Sequence, residues 1–85
     1  MARKPICVVD AKMSRQGILG LAHIADRKIS IDYDAHKSEQ ALLDTICHEV
    51  LHVASKDFLS EPAVEKLAAD LAQTLWRLKY RRVKQ

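Results

Sequence analysis

Apolar and polar side chains alternate most regularly in residues 28–33. Ile29, Ile31 and Tyr33 fall on one face of an extended chain, and the residues between them are polar. A period of two is typical of a strand with one buried face. Residues 25–27 suit a hairpin turn before it. This segment therefore predicts a half-buried strand that follows a hairpin.

Two earlier segments also have β character. Residues 5–10 form a short run rich in β-branched side chains, which predicts a first strand. Residues 18–24 show a mixed pattern, with Gly17 and Gly20 as local breakers. Together with residues 28–33 they predict about three short strands, which we expect to form a small antiparallel sheet.

The apolar period changes to that of a helix in the second half of the chain. A helix over about Glu39–Ala54, with Ser38 as its N-cap, collects its apolar residues on one broad side. These residues are Leu42, Leu43, Ile46, Cys47, Val50, Val53 and Ala54. His48 and His52 fall on the opposite side. We expect the apolar side to enter the core and the histidine side to face a cleft.

A second helix begins after Ser60, its predicted N-cap, and extends to about residue 80. Its predicted apolar stripe consists of Val64, Leu67, Ala68, Leu71, Leu75 and Leu78. The predicted element order is β-β-β-α-α. This order favours an α+β fold in which two helices pack on one face of the sheet.

The chain as a whole has the composition of a small globular domain. Its 85 residues are 48% hydrophobic and 29% charged, so we expect one domain over residues 1–85 with a basic tail from about residue 77. No apolar run approaches the roughly 20 residues that cross a bilayer. We therefore expect a cytoplasmic protein without a membrane partner. A domain of this size often gains stability from a bound metal.

The most specific motif is His48-Glu49-Val50-Leu51-His52, which has the HExxH form. Two imidazoles four residues apart lie on one face of a helix and can reach one tetrahedral zinc ion. Glu49 can take a proton from metal-activated water and deliver it to a leaving amine. The motif therefore predicts a zinc site with Glu49 as general base.

A catalytic zinc usually has three protein ligands and one open position, so the motif needs a third ligand. The residues at the spacing of an extended zincin motif are Ser55 and Phe58, which excludes that form. The remaining plan uses a glutamate from the following helix. We favour Glu65, which lies beside small alanines that allow close helix approach. Glu61 at the helix start stays open as the alternative.

The chain resembles a known family in three segments. Residues 28–32 form a strand ending in aspartate, residues 43–52 contain the HExxH helix, and residues 60–68 contain a Glu-x-Leu-Ala segment. These segments look like small phage-encoded, gluzincin-type metallopeptidase-like proteins. They are more distantly similar to SprT-like metallopeptidases and to zinc peptidases that cleave phage repressors. The resemblance covers roughly residues 17–76.

The resemblance implies a minimal zincin-like fold and a zinc-dependent endopeptidase that acts on a peptide or protein. His48, His52 and Glu65 match the ligand positions, and Glu49 matches the general base. The strand before the zinc helix, residues 28–33, matches the edge that pairs with an extended substrate.

Two other functions remain open. The zinc could stabilise a non-catalytic binding protein, which four protein ligands would favour over three. The tail could instead bind nucleic acid, because it interleaves Trp76 and Tyr80 with cations. Those cations are Arg77, Lys79, Arg81, Arg82 and Lys84. Cations at a helix end also favour the helix dipole, so we expect nucleic-acid binding less than zinc chemistry.

Overall fold

The computed structural model describes residues 4–83, so Lys84 of the basic tail lies outside the described residues. Its strands are β1 (Cys7–Asp10), β2 (Gly20–His23) and β3 (Lys28–Ile31), and its helices are α1 (Glu39–Ala54) and α2 (Glu61–Arg77). The predicted order and the α+β fold class are confirmed. Over residues 4–83, no helix has the length and apolar character needed to cross a membrane.

The sheet is mixed rather than wholly antiparallel. β3 lies in the middle, antiparallel to β2 and parallel to β1. The expected hairpin between β2 and β3 is present, but the expectation of an antiparallel sheet is wrong for β1. The reason is that the chain between β1 and β2 crosses to the opposite edge of the sheet instead of turning back beside β1.

Helix α1 is the middle layer of the molecule. On one side it packs against the sheet in a buried cluster of Ile29, Ile31, Leu42 and Val53. On a second side it packs against α2 in a buried cluster of Cys47, Ala68 and Ala72. The remaining face of α1 carries the three fixed residues of the HExxH motif. The broad apolar side of this helix thus has two neighbours, and the histidine face is left for a cleft.

Both helices begin at the serines expected to cap them. The Oγ of Ser38 accepts a hydrogen bond from the backbone N–H of Ala41, and the Oγ of Ser60 accepts one from Ala63. Each serine satisfies a donor that the first turn of a helix leaves unpaired. Their positions fix where α1 and α2 start, and hence where the side chains of the first turns lie along each helix axis.

The buried stripe of α2 differs from the prediction. Val64, Ala68 and Ala72 are buried, whereas the predicted core residues Leu67, Leu71 and Leu78 are 46%, 43% and 63% exposed. Small side chains at the helix contact let the two axes approach closely, and the leucines are turned away as a result.

Helix α2 runs back along α1. Its first residue, Glu61, lies against His48 and His52, whereas Trp76 and Tyr80 line a groove with Glu39 at the start of α1. The antiparallel arrangement brings the first turn of α2 level with the last turns of α1, where the histidines lie.

A buried carboxylate holds the loop that leads into β2. Asp32 is only 1% exposed, and its Oδ2 accepts a hydrogen bond of 2.8 Å from the backbone N–H of Met13. The backbone N–H of Asp32 donates to the carbonyl oxygen of Leu19 at 3.1 Å. These two bonds fix both ends of residues 13–19, and the last three of these residues line the cleft described next.

Candidate metal centre

Three side chains from two helices converge beside the start of α2. The Nε2 atoms of His48 and His52 are 3.2 Å apart. Glu61 places Oε1 at 2.6 Å from the first of these nitrogens and Oε2 at 3.0 Å from the second. His48, His52 and Glu61 thus form a group that could hold a metal ion, with all ligand atoms within 4.8 Å of one another.

The spacing of these atoms fits one small ion. Bonds of about 2.0–2.1 Å at tetrahedral angles place two ligand atoms about 3.3 Å apart. The separations of 3.0 and 3.2 Å are close to that value, and the 2.6 Å between His48 Nε2 and Glu61 Oε1 is shorter. Imidazole nitrogen and carboxylate oxygen are also the donors that zinc and similar divalent ions accept. Both the donor set and its spacing therefore fit a divalent cation.

Ordinary ion pairs account less well for this geometry. If His48 and His52 were both protonated to pair with Glu61, two positively charged N–H groups would face each other across the 3.2 Å contact. Like charges repel at this distance. Two lone pairs that point at a shared cation do not have this conflict, so the convergence of three acceptors favours a metal site.

The structure does not bring Glu65 into this group. Glu65 lines the same cleft as Glu61, but it lies one helical turn further along α2, about 6 Å in axial rise. Because α2 runs back along α1, only its first turn is level with both histidines. The group that could hold a metal ion therefore contains Glu61 and not the expected Glu65, and Glu65 is a carboxylate of the cleft wall.

Glu49 lies in the same cleft, between α1 and the start of β2. A Cβ atom built on Gly20 would lie 2.8 Å from the Cγ2 of Thr45 and 3.0 Å from the Cγ of Glu49. Only glycine fits such an approach of strand to helix without displacing these side chains. The close strand covers Glu49, and this burial raises the pKa of its carboxyl above the ordinary value, although the neighbouring histidines oppose the rise. A carboxyl with a raised pKa is better suited to accept and return a proton.

The cleft in front of the motif is open and has a volume of about 610 Å³. Its walls are the loop and strand start at residues 17–20, one face of α1 and the first turns of α2. Four carboxylates line it, and among residues 4–83 its lining contains no lysine or arginine. These carboxylates belong to Asp44, Glu49, Glu61 and Glu65. The cleft is therefore acidic although the chain has a net charge of +3.

One residue at the site was missed by the sequence reasoning. The Oδ1 of Asp57 lies 2.9 Å from the Nδ1 of His52, the ring nitrogen opposite the one that faces Glu61. The only signal in the sequence was an aspartate five residues after the second histidine of the motif. Asp70, the other aspartate that follows the motif, is exposed on α2 and is not part of the group.

The other histidines and the basic end of the chain lie elsewhere. His36 bonds to the hydroxyl of Thr45 through Nε2 at 2.8 Å, and His23 bonds to Ser30 at 3.0 Å, so neither belongs to the metal group. The guanidinium of Arg81 lies 3.4 Å from the Trp76 ring centroid. Arg82 forms two hydrogen bonds of 3.0 Å with the carboxylate of Glu39. These two cations thus have partners within the fold.

No family model, no curated protein and no solved structure matches this chain.

Proposed function

We propose that this protein is a zinc-dependent peptidase of the HExxH type that cleaves internal peptide bonds. The observation that carries the proposal is the convergence of the His48, His52 and Glu61 ligand atoms beside a covered glutamate at an open cleft. The donor set of two imidazoles and one carboxylate is that of known catalytic zinc sites.

Each residue then has a defined role. His48, His52 and Glu61 hold the ion, which when bound polarises the scissile carbonyl and lowers the pKa of water. Glu49 accepts a proton from the attacking water and delivers it to the departing nitrogen. Its cover by β2 supports this role, because a partly desolvated carboxyl holds a proton more readily than an exposed one.

The number of ligands supports an enzyme rather than a structural zinc site. Within residues 4–83 the metal group contains three side chains, whereas structural zinc sites almost always have four protein ligands. The open position would face the cleft, which leaves room for a substrate. A non-catalytic zinc-stabilised binding protein remains the alternative that an activity assay must test.

We infer that the substrate edge is β2 rather than β3. The resemblance led us to expect that residues 28–33 pair with an extended peptide, but β3 has strands on both sides. β2 lies at the edge of the described sheet, and Leu19 accepts a hydrogen bond from Asp32. Hydrogen-bonded and non-hydrogen-bonded residue pairs alternate along an antiparallel ladder. Since Leu19 is in a hydrogen-bonded pair, the N–H and C=O of Gly20 and Ala22 face outward. We infer that the substrate adds as a strand along this edge, beside Glu49.

Two proline substitutions on β2 test this edge. Ala22→Pro removes an outward N–H, which the fold tolerates on an edge strand, and should raise KM about two- to tenfold through one lost hydrogen bond. Leu21→Pro removes an N–H that faces β3 and should lower the melting temperature, because a hydrogen bond of the β2–β3 ladder is lost. Thermal unfolding and peptide kinetics separate the two effects. Unchanged KM in a folded Ala22→Pro variant would place the substrate elsewhere.

The test of the proposed activity combines metal analysis with peptide cleavage. Purified protein should contain zinc, and a chelator should abolish cleavage of peptides. A suitable library samples lysine and arginine near the cleaved bond, because the acidic cleft favours cationic side chains. Glu49→Gln should lower kcat by about 10²–10⁴ and retain zinc, because the amide replaces the base and not a ligand. Zinc content without any cleavage in the wild type would support the non-catalytic alternative instead.

A further inference from the structure

The chain turns sharply after α1 and returns to the last turn of the helix. Lys56 and Asp57 adopt left-handed backbone conformations, with φ of 52° and 60°. The backbone N–H of Asp57 donates a hydrogen bond of 3.0 Å to the carbonyl oxygen of His52. This turn brings the side chain of Asp57 over the same residue, where its Oδ1 lies 2.9 Å from Nδ1.

We propose that Asp57 is a positioning residue for the metal ligand His52; this inference rests on the proposed zinc site. A neutral imidazole carries one N–H, and a carboxylate at Nδ1 keeps the proton on that nitrogen. The lone pair of Nε2 is then free to bind the ion, and the ring is held in the required orientation. Nε2 is the atom that faces His48 and Glu61.

The backbone of the turn is a second reason to assign this role. A left-handed backbone is unfavourable for residues other than glycine, and aspartate is among the few others that visit this region. Glycine would make the turn at lower cost. An aspartate at position 57 instead provides an acceptor in reach of His52, which a turn by itself does not require.

The two histidine ligands differ in this respect. His52 is held through both ring nitrogens, by Asp57 on one side and by the ligand group on the other. Among the residues that the structure describes, His48 has contacts at Nε2 but no hydrogen-bond partner at Nδ1. Of the two histidines, His52 is therefore the one whose ring orientation a carboxylate controls. Carboxylates that hydrogen-bond to a ligand histidine strengthen metal binding.

Asp57→Gly and Asp57→Asn separate the hydrogen bond from the turn. Glycine accepts the left-handed backbone but has no carboxylate, so the apo protein should keep its melting temperature while Zn²⁺ affinity falls about 10–100-fold. Asparagine tolerates the same backbone and keeps an oxygen acceptor, so it should bind Zn²⁺ better than glycine. Zn²⁺ competition with a chromophoric chelator measures the affinities, and unfolding in excess chelator measures the apo fold.

Asp70→Ala is the matched control, because it removes an exposed carboxylate nine residues from Glu61, roughly 13 Å along α2. It should leave Zn²⁺ affinity unchanged. The visible bands of the Co²⁺-loaded protein, which report ligand geometry, should change in Asp57→Gly and not in Asp70→Ala. Equal Zn²⁺ affinity in wild type and Asp57→Gly would overturn the role of Asp57 alone. A wild-type protein that binds no Zn²⁺ would overturn the metal site itself.

Discussion

The two ends of the α1–α2 pair place polar groups very differently. At the closed end, formed by the start of α1 and residues 76–82, the carboxylate of Glu39 receives both hydrogen bonds of Arg82. At the metal end, formed by the last turns of α1 and the first turn of α2, His48, His52 and Glu61 point at a common centre. Arg82 and Glu39 pair with each other at the first end, whereas side chains from two helices converge at the second.

This difference separates structural charge from functional charge within one small domain. The pair of Arg82 and Glu39 is formed within the chain, and guanidinium and carboxylate match in charge and geometry. The metal end instead gathers electron-pair donors, and at most one of the two facing ring nitrogens can carry a proton towards the other. Such a group is satisfied by a cation from outside the chain. The closed end stabilises the packing of the helices, and the metal end provides a site.

The largest expected effect is on Zn²⁺ binding when the proposed ligand Glu61 at the metal end is removed. Glu61→Ala should weaken Zn²⁺ binding by more than the roughly 10–100-fold typical of a lost outer partner, because a direct bond to the ion is removed. Glu65→Ala, one turn away on the same helix, is the matched control and should bind zinc almost as the wild type does. A metal competition assay decides between them, and the reverse order would restore Glu65 as the ligand.

The choice between Glu61 and Glu65 shows where sequence reasoning stops. Both glutamates lie on the same side of α2, so helical periodicity alone cannot separate them. The selection depends on the level at which α2 passes α1, which in turn depends on the loop from Ser55 to Ser60 and on close packing through Ala68 and Ala72. None of these tertiary features has a local signature.

Features with local causes were predictable. The serine caps of both helices depend on a hydroxyl near the first turn, and the β2–β3 hairpin depends on alternation and turn residues within one short segment. The parallel pairing of β1 with β3 and the return of Asp57 onto His52 are different. Parallel pairing arises because the chain crosses to the other edge of the sheet. The return of Asp57 requires left-handed backbone conformations at residues whose type does not predict them.

The second-largest expected effect is on the stability of the metal-free protein when Glu49, at the metal end, is replaced. Burial raises the pKa of Glu49 in the folded state, so the folded protein binds the proton more tightly than the unfolded one. The free energy of unfolding therefore decreases as the pH rises from the ordinary glutamate pKa through the raised value, and the loss persists at neutral pH. Glu49→Gln removes the ionised form and should raise the melting temperature of the chelated protein at neutral pH.

The control is to measure the same gain in melting temperature at acid pH. Below the ordinary glutamate pKa, Glu49 is protonated in both states and no longer differs from glutamine in charge. The difference in melting temperature between wild type and Glu49→Gln should then vanish. A gain that is equally large at acid pH would show that shape rather than ionisation is responsible. A gain in melting temperature at neutral pH combined with lost cleavage would show that the ionised Glu49 lowers stability and is required for activity.

The smallest expected effect is at the closed end. Arg82→Gln removes the two hydrogen bonds to Glu39 and the cation that lies 5.3 Å from the Tyr33 ring centroid. Because the side chains of Arg82 and Glu39 are 43% and 35% exposed, water and salt screen the pair, and the melting temperature should fall only slightly. The change should shrink further in high salt, whereas Zn²⁺ affinity should stay at the wild-type value. Weaker Zn²⁺ binding in Arg82→Gln would mean that the two ends are coupled through α1, and the division between structural and functional charge would then fail.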